Sequence, residues 1–227
     1  MLRKWEDLPE IMQTEAVRPY YECLNKRRGS LLLKRTFDIV ISAVLLILIS
    51  PILVILAIMI ATDSKGGIFY RQERVTQYGR VFRIFKFRTM VADADKIGTQ
   101  VTVQNDSRIT KIGEKLRKYR LDELPQLLNI LMGDMTLVGT RPESIHYVEH
   151  YTPEMYATLL LPAGVTSEAS ILYRDEAKLL RDAENVDKVY VEKILPEKMK
   201  YNLEDIRRFS CIKEIGTIFR TVLAVVR

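Results

Sequence analysis

The sequence predicts a membrane-anchored, helix-rich α/β chain: a re-entrant helix hairpin in the membrane, joined to one small cytosolic globular domain with a short β-hairpin. Three observations carry this. Residues 39–61 are 23 residues without a charge, long enough to span a bilayer as a helix. Residues 68–70 and 81–88 are rich in β-branched and aromatic side chains and flank the turn Gln77-Tyr78-Gly79. Beyond residue 110, apolar residues recur at helical spacing over about 111–119, 122–132, 143–160, 175–184, 186–194 and 203–226.

In chain order, residues 1–33 form a polar N-terminal extension punctuated by Pro9, Pro19 and Gly29. It is expected as a short helical arm lying on the domain or the membrane, with Trp5, Tyr20 and Tyr21 as packing or interface aromatics. Residues 34–62 are the anchor. The apolar run starts too deep in the chain for a signal peptide. Ser50-Pro51 sits at its middle, where proline removes a backbone hydrogen bond and kinks a helix. Each half is then about 15 Å of helix, roughly half the hydrocarbon thickness. Both flanks are basic: Lys26, Arg27, Arg28, Lys34 and Arg35 before, and Lys65, Arg71, Arg74, Arg80 and Arg83 after. A spanning helix concentrates lysine and arginine on its cytoplasmic side. Positive charge on both sides favours a hairpin that enters and leaves by the cytoplasmic face, with a straight span as the alternative. Lys34, Arg35 and Asp38 are then expected at the headgroups.

Residues 63–227 read as one α-rich globular unit with a little sheet. Gly66-Gly67 marks a turn before the hairpin, and the polar stretch 91–110, with Asp93 and Asp95 solvated, reads as a loop. The last stretch, 206–226, repeats apolar residues as one amphipathic helix, expected to pack on the domain rather than on the membrane.

Composition narrows the function. The 227 residues are 48% hydrophobic and 28% charged, which excludes a disordered or collagen-like chain. Two distant cysteines, Cys23 and Cys211, argue against a disulfide scaffold or a Cys-based zinc site, and the two histidines, His146 and His150, against a histidine-rich metal centre. The net charge of +6 points to an anionic partner: nucleic acid, an anionic membrane surface or a phosphorylated substrate.

The chemistry concentrates in Leu121-Asp122-Glu123-Leu124-Pro125-Gln126-Leu127. Leu124, Leu127, Leu128 and Leu131 repeat at helical spacing, Pro125 belongs in a first turn, and Gly133 ends the helix. Asp122 and Glu123 therefore sit at the positive end of a helix dipole, which favours an ionised carboxylate; acidic N-caps are the simpler use of such residues. Basic residues crowd the neighbouring segments, where guanidinium forks serve as surface ion pairs or as phosphate clamps. No Walker loop, GxGxxG or GxSxG motif is present.

These pieces form an ordered set. Lys34-Arg35-Thr36-Phe37-Asp38 precedes the apolar run and Ser50-Pro51 breaks it; Phe85-Lys86-Phe87-Arg88-Thr89-Met90 follows the hairpin. Then come Asn105-Asp106-Ser107-Arg108-Ile109-Thr110, Gly113, the Asp122-Glu123 run, Gly133-Asp134-Met135 and Val138-Gly139-Thr140-Arg141-Pro142-Glu143. From about residue 30 onward the chain resembles the bacterial sugar transferases, the monotopic polyprenyl-phosphate phosphoglycosyl transferases that initiate surface glycan synthesis. That resemblance implies a re-entrant helix broken at Ser-Pro and an enzyme on the cytoplasmic face of the bacterial inner membrane. It implies a UDP-sugar donor, a polyprenyl phosphate acceptor such as undecaprenyl phosphate, and release of UMP. Asp122-Glu123 would be the catalytic dyad: Asp122 the nucleophile that forms an aspartyl phosphosugar, Glu123 its orienting partner. Both would help hold a required Mg²⁺. Lys86, Arg117, Arg141 and Arg174 would bind substrate phosphates. Two departures stand out: Thr140 replaces a proline usual in the family, and Ser167-Glu168-Ala169-Ser170 replaces Gly-Trp-Ala-Gln.

Two other classes compete. A catalytically silent membrane scaffold is motivated only by Thr140. A nucleic-acid module ranks last, because no basic helix with base-reading spacing and no interleaved aromatic platform is present. The partners expected are thus a UDP-sugar, a polyprenyl phosphate and the lipid bilayer, not nucleic acid; a monotopic chain could also form a homodimer through its membrane-proximal face.

Overall fold

The computed structural model describes residues 2–92, 94, 106–180 and 185–226. Asp93, Asp95 and most of the expected 91–110 loop lie outside the described residues. The N-terminal arm lies on the domain, as helical turns at Trp5–Asp7 and Glu10–Met12 followed by α1 (Arg18–Asn25). It is built into the core: Leu2, Leu8, Met12, Val17, Tyr20 and Leu24 are all buried.

The next element, α2 (Arg28–Asp63), is 36 residues long, about 54 Å of helix. It starts within the expected extension, and helical conformation continues through Pro51. Proline cannot donate to the carbonyl four residues back, Ile47; the Ser50 hydroxyl donates to that carbonyl instead, at 2.8 Å. Ser42, Leu46, Ile49, Leu53, Leu56 and Ile60 recur every three or four residues along one face and pack against the domain. The opposite face is apolar and exposed, with Ile47 and Leu48 73% and 69% accessible. Among the described residues this is the one helix long and apolar enough to cross a membrane, and only 11% of its apolar window is buried, unlike a core helix.

Lys34, Arg35 and Asp38 were expected at the headgroups; the structure turns them inward. Lys34 is buried between Asp38 at 3.4 Å and Glu214 at 2.7 Å. Asp38 accepts from the Thr136 hydroxyl, and Arg35 donates to the Ile130 and Met135 carbonyls. A hydrogen-bonded ion cluster at the foot of the helix satisfies these charges without lipid.

The hairpin forms as read. Strands β1 (Phe69–Val75) and β2 (Val81–Phe87) pair antiparallel from Phe69↔Phe87 to Val75↔Val81, through a turn at Gln77–Gly79. Next come α3 (Lys111–Lys118), a 3₁₀ turn at Leu121–Glu123 and α4 (Gln126–Met132). The expected helix over 122–132 is thus split at Leu124-Pro125, and Gly133 ends it at φ 90°.

A second sheet was not anticipated. Strand β3 (Met135–Val138) pairs parallel with β4 (Ala163–Thr166). Four residues each, with a glycine in one, carry too little pattern to be read. The contact depends on two glycines: a Cβ on Gly164 would lie 2.2 Å from backbone atoms of Gly139.

Between these strands the expected helix 143–160 is only α5 (Ile145–Val148) and a 3₁₀ segment at Met155–Leu160, interrupted at Pro153. The chain ends with α6 (Glu168–Leu172), α7 (Glu176–Leu179), α8 (Val186–Val189), a π-helical turn at Tyr190–Ile194, α9 (Leu195–Arg207) and α10 (Cys211–Val226). The stretch 203–226 is therefore two helices, not one. Ile206 and Phe209 close the core, while α10 leaves Ile212, Phe219, Val222 and Leu223 exposed, contrary to the expected packing of this face on the domain.

Candidate active site

The site is assembled from the hairpin, α3 and the turn ahead of α4. Asn129, wholly buried on α4, bridges to β2: Phe85 N–H donates to its side-chain oxygen at 2.8 Å, and its amide donates to the Arg83 carbonyl at 3.1 Å. This fixes the turn bearing Asp122 and Glu123 against the strand bearing Lys86. Gly113 does the same for α3. A Cβ there would fall 2.0 Å from the Thr89 carbonyl oxygen, so only glycine admits this approach. Arg117, one turn on, then donates to the Thr89 hydroxyl at 2.9 Å.

Arg120 precedes the acidic pair in the left-handed region, at φ 52°. A non-glycine residue there stores strain that the surroundings must hold. Asp122 is 8% exposed. Glu123 takes both guanidinium nitrogens of Arg141, with Arg120 at 3.7 Å and Lys86 at 3.8 Å.

The two carboxyls are driven apart. Burial opposes ionisation of Glu123, but the Arg141 and Lys86 charges outweigh it and hold this carboxyl far below its usual range. Burial and then the Glu123 charge push the Asp122 carboxyl up, against Lys86, Arg117 and Arg141. The helix-dipole expectation is therefore modified: desolvation dominates at Asp122. Burial lowers Lys86, which Glu123 counters, and lowers Arg117, which Asp122 counters.

Asp122, Lys86 and Arg117 line one polar cavity of about 680 Å³, together with Arg74, Arg88 and Arg108. Lys86 and Arg74 also line a second, of about 290 Å³, bordered by Arg120, Arg141 and Arg174. A buried network forms its wall, in which Lys198 meets Glu143, Glu176 and the Tyr190 hydroxyl at 3.4, 3.0 and 2.8 Å.

Five of the six residues expected at the site are thus gathered: Asp122, Glu123, Lys86, Arg117 and Arg141. Arg174 stands at the rim, where it donates to the Ala224 carbonyl of α10. Glu123 is directed at cations. Among the described residues no three or more His, Cys, Asp or Glu cluster as a metal site. Arg120, Arg74 and Asn129 were not singled out. Arg74 was readable only as part of a basic flank, and nothing in the sequence marks the positive φ of Arg120.

The family described as bacterial sugar transferase matches residues 29–227, and the chain belongs to that family. It is 37% identical over 196 residues to the UDP-glucose:undecaprenyl-phosphate glucose-1-phosphate transferase of Escherichia coli K12, covering 84% of this chain and 39% of that protein. It is 32% identical over 197 residues to the UDP-N-acetylgalactosamine-undecaprenyl-phosphate N-acetylgalactosaminephosphotransferase of Aeromonas hydrophila, covering 85% and 43%. It is 32% identical over 192 residues to a Caulobacter vibrioides protein named as the first is, covering 83% and 68%. The chain spans about two fifths of the length of the first two.

Proposed function

We propose that this chain moves a phosphosugar from a UDP-sugar onto a polyprenyl phosphate, undecaprenyl phosphate in the first instance, and releases UMP. The observation that carries this is the placement of Asp122. It is one desolvated carboxylate on the wall of a basic cleft, beside Lys86 and Arg117 and one residue from a Glu123 already saturated by cations. The names of the relatives supply the donor and acceptor classes.

The reaction is two displacements at one phosphorus. An Asp122 oxygen attacks the sugar-bearing phosphorus, and the bond to the bridging oxygen breaks, leaving with UMP. A polyprenyl phosphate oxygen then attacks the same phosphorus, and the bond to Asp122 breaks. The products are polyprenyl-diphosphate sugar and a regenerated carboxylate, with no net proton transfer. Every reactant is anionic, so charge neutralisation is the main task of the site. Lys86 and Arg117 face the donor phosphates beside Asp122. Glu123 positions Arg141 and Lys86 and, by its charge, raises the basicity of Asp122. With Glu123 engaged by Arg141, Asp122 is the carboxylate that would hold a Mg²⁺ ion, which would supply charge neutralisation at the substrate phosphates.

The anchor is read here as re-entrant. Both ends of α2 are fastened to one domain: the first by Lys34, Arg35 and Asp38, the last by Arg88, which donates to the Ser64 and Lys65 carbonyls at 2.7 and 2.8 Å. A helix crossing the bilayer cannot have both ends on one domain. Its free apolar face and that of α10 would enter the cytoplasmic leaflet, keeping the enzyme where its lipid acceptor is confined.

The test is UMP release by purified protein given Mg²⁺, undecaprenyl phosphate and a panel of UDP-sugars. Wild type should release UMP with one donor and Asp122→Asn with none. Equal release by both would remove Asp122 as nucleophile.

A further inference from the structure

A third cavity, of about 240 Å³, lies between the anchor and the site. Its walls are apolar and come from five elements: Leu45 and Ile49 of α2, Leu127 of α4, Val165 of β4, Ile171 of α6 and Ala224 of α10. Its other end is basic. Arg120, Arg141 and Arg174 line it, with Glu123, and the same three arginines border the second polar cavity. That cavity shares Lys86 and Arg74 with the one holding Asp122. The three therefore adjoin in series, from membrane helix to nucleophile, and change from apolar to basic along the way.

The geometry points to the apolar cavity as the seat of the acceptor: the first isoprene units lie between α2, α6 and α10, and the phosphate rests on Arg120, Arg141 and Arg174. This rests on the transferase reading and assigns residues to its second step. The occupant follows from the two ends of the site. An apolar chain alone would leave three guanidinium groups facing it; a soluble phosphate would leave the apolar walls wet. A lipid whose only head is a phosphate matches both. Glu123 supplies one negative charge against Arg120, Arg141 and Lys86, and Arg174 has Asp175 at 3.9 Å, so four cations stand against these two carboxylates and an incoming phosphate meets net positive charge from them. Leu45 and Ile49 belong to the anchor, so the entrance opens where the lipid resides. Arg174 now holds the Ala224 carbonyl, and α10 is the side wall that such a lipid would touch.

The experiment fills the cavity from opposite walls, with Ile171→Trp and Leu45→Trp, in full-length protein in nanodiscs. The two half-reactions are read separately: adduct formation from UDP-sugar without acceptor, and KM for undecaprenyl phosphate at saturating donor. Both variants should form the adduct at the wild-type rate and raise the acceptor KM at least 10-fold; Arg120→Gln should raise it as well. An unchanged acceptor KM in both filled variants overturns the assignment. So does an equal loss in both half-reactions. If wild type itself forms no adduct and releases no UMP, the transferase reading fails instead, and that outcome is separable from the others.

Discussion

Replacing Arg141 by glutamine removes the main support of Glu123, and the cost follows from what remains. Three cations surround that carboxylate: Arg141 through both nitrogens, Arg120 at 3.7 Å and Lys86 at 3.8 Å. Breaking one partner of a buried ion pair costs about 3–5 kcal/mol because a charge is left without its counter-ion. Here two cations stay and Arg141 is 29% exposed, so the lower end applies, about 3 kcal/mol. For a chain of this size that lowers Tm by about 6–12 °C. Arg120→Gln removes a longer, single contact from a side chain 34% exposed, where screening leaves about 1 kcal/mol, or about 2–4 °C. The pH dependence has a definite sign. The Glu123 carboxyl is depressed in the fold, so its stabilisation is complete above the unfolded value of about 4.3 and is lost as pH falls below it. The Arg141→Gln penalty should therefore be full at pH 7 and shrink on acidification below about pH 4. Thermal unfolding of both variants in detergent at pH 7 and at about pH 3 measures this. An Arg120→Gln loss equal to or larger than that of Arg141→Gln would show that Arg141 is not the main counter-ion.

Other perturbations have outcomes equally open to measurement. Gly164→Ala would place a methyl on the Gly139 backbone; the β3–β4 pair should part, at about 3 kcal/mol or more, seen as loss of folded yield and of protease protection. Glu123→Gln removes a charge that raises Asp122, so the acidic limb of adduct formation should move to lower pH; an unmoved limb would mean that the two carboxyls do not interact. Lys34→Met leaves Asp38 and Glu214 together without a cation. Burial pushes Glu214 up to about 7, and a raised acid loses its contribution to stability as pH rises through that value. The loss of Tm in this variant should therefore be larger at pH 8 than at pH 6.

What could be read in the sequence followed from the range of each signal. The long apolar helix, the hairpin and the helix end at Gly133 depend on contiguous pattern, and each appears near its expected place. The failures were tertiary. The β3–β4 pair rests on contact between two glycines, Gly139 and Gly164, that lie far apart in the chain. Lys34 and Asp38 looked like interface charges because nothing local reveals Thr136 and Glu214 across from them. Pro153 and the break after Arg207 cut helices whose apolar periodicity runs on past them. At the site, the acidic pair and Lys86, Arg117 and Arg141 were legible through an ordered motif. The set of cations around Glu123 was not, since Arg141 and Lys86 reach it from segments distant in the chain.

The proposed covalent step is tested most directly by the mass of the intact protein after exposure to a panel of UDP-sugars without acceptor. Wild type should gain the mass of one phosphosugar, with UMP released in equal amount. The adduct should map to Asp122 and discharge on addition of undecaprenyl phosphate. Asp122→Asn should gain nothing. Protein that stays unmodified, and releases UMP only when the acceptor is present, would mean direct transfer between the two substrates and no aspartyl intermediate.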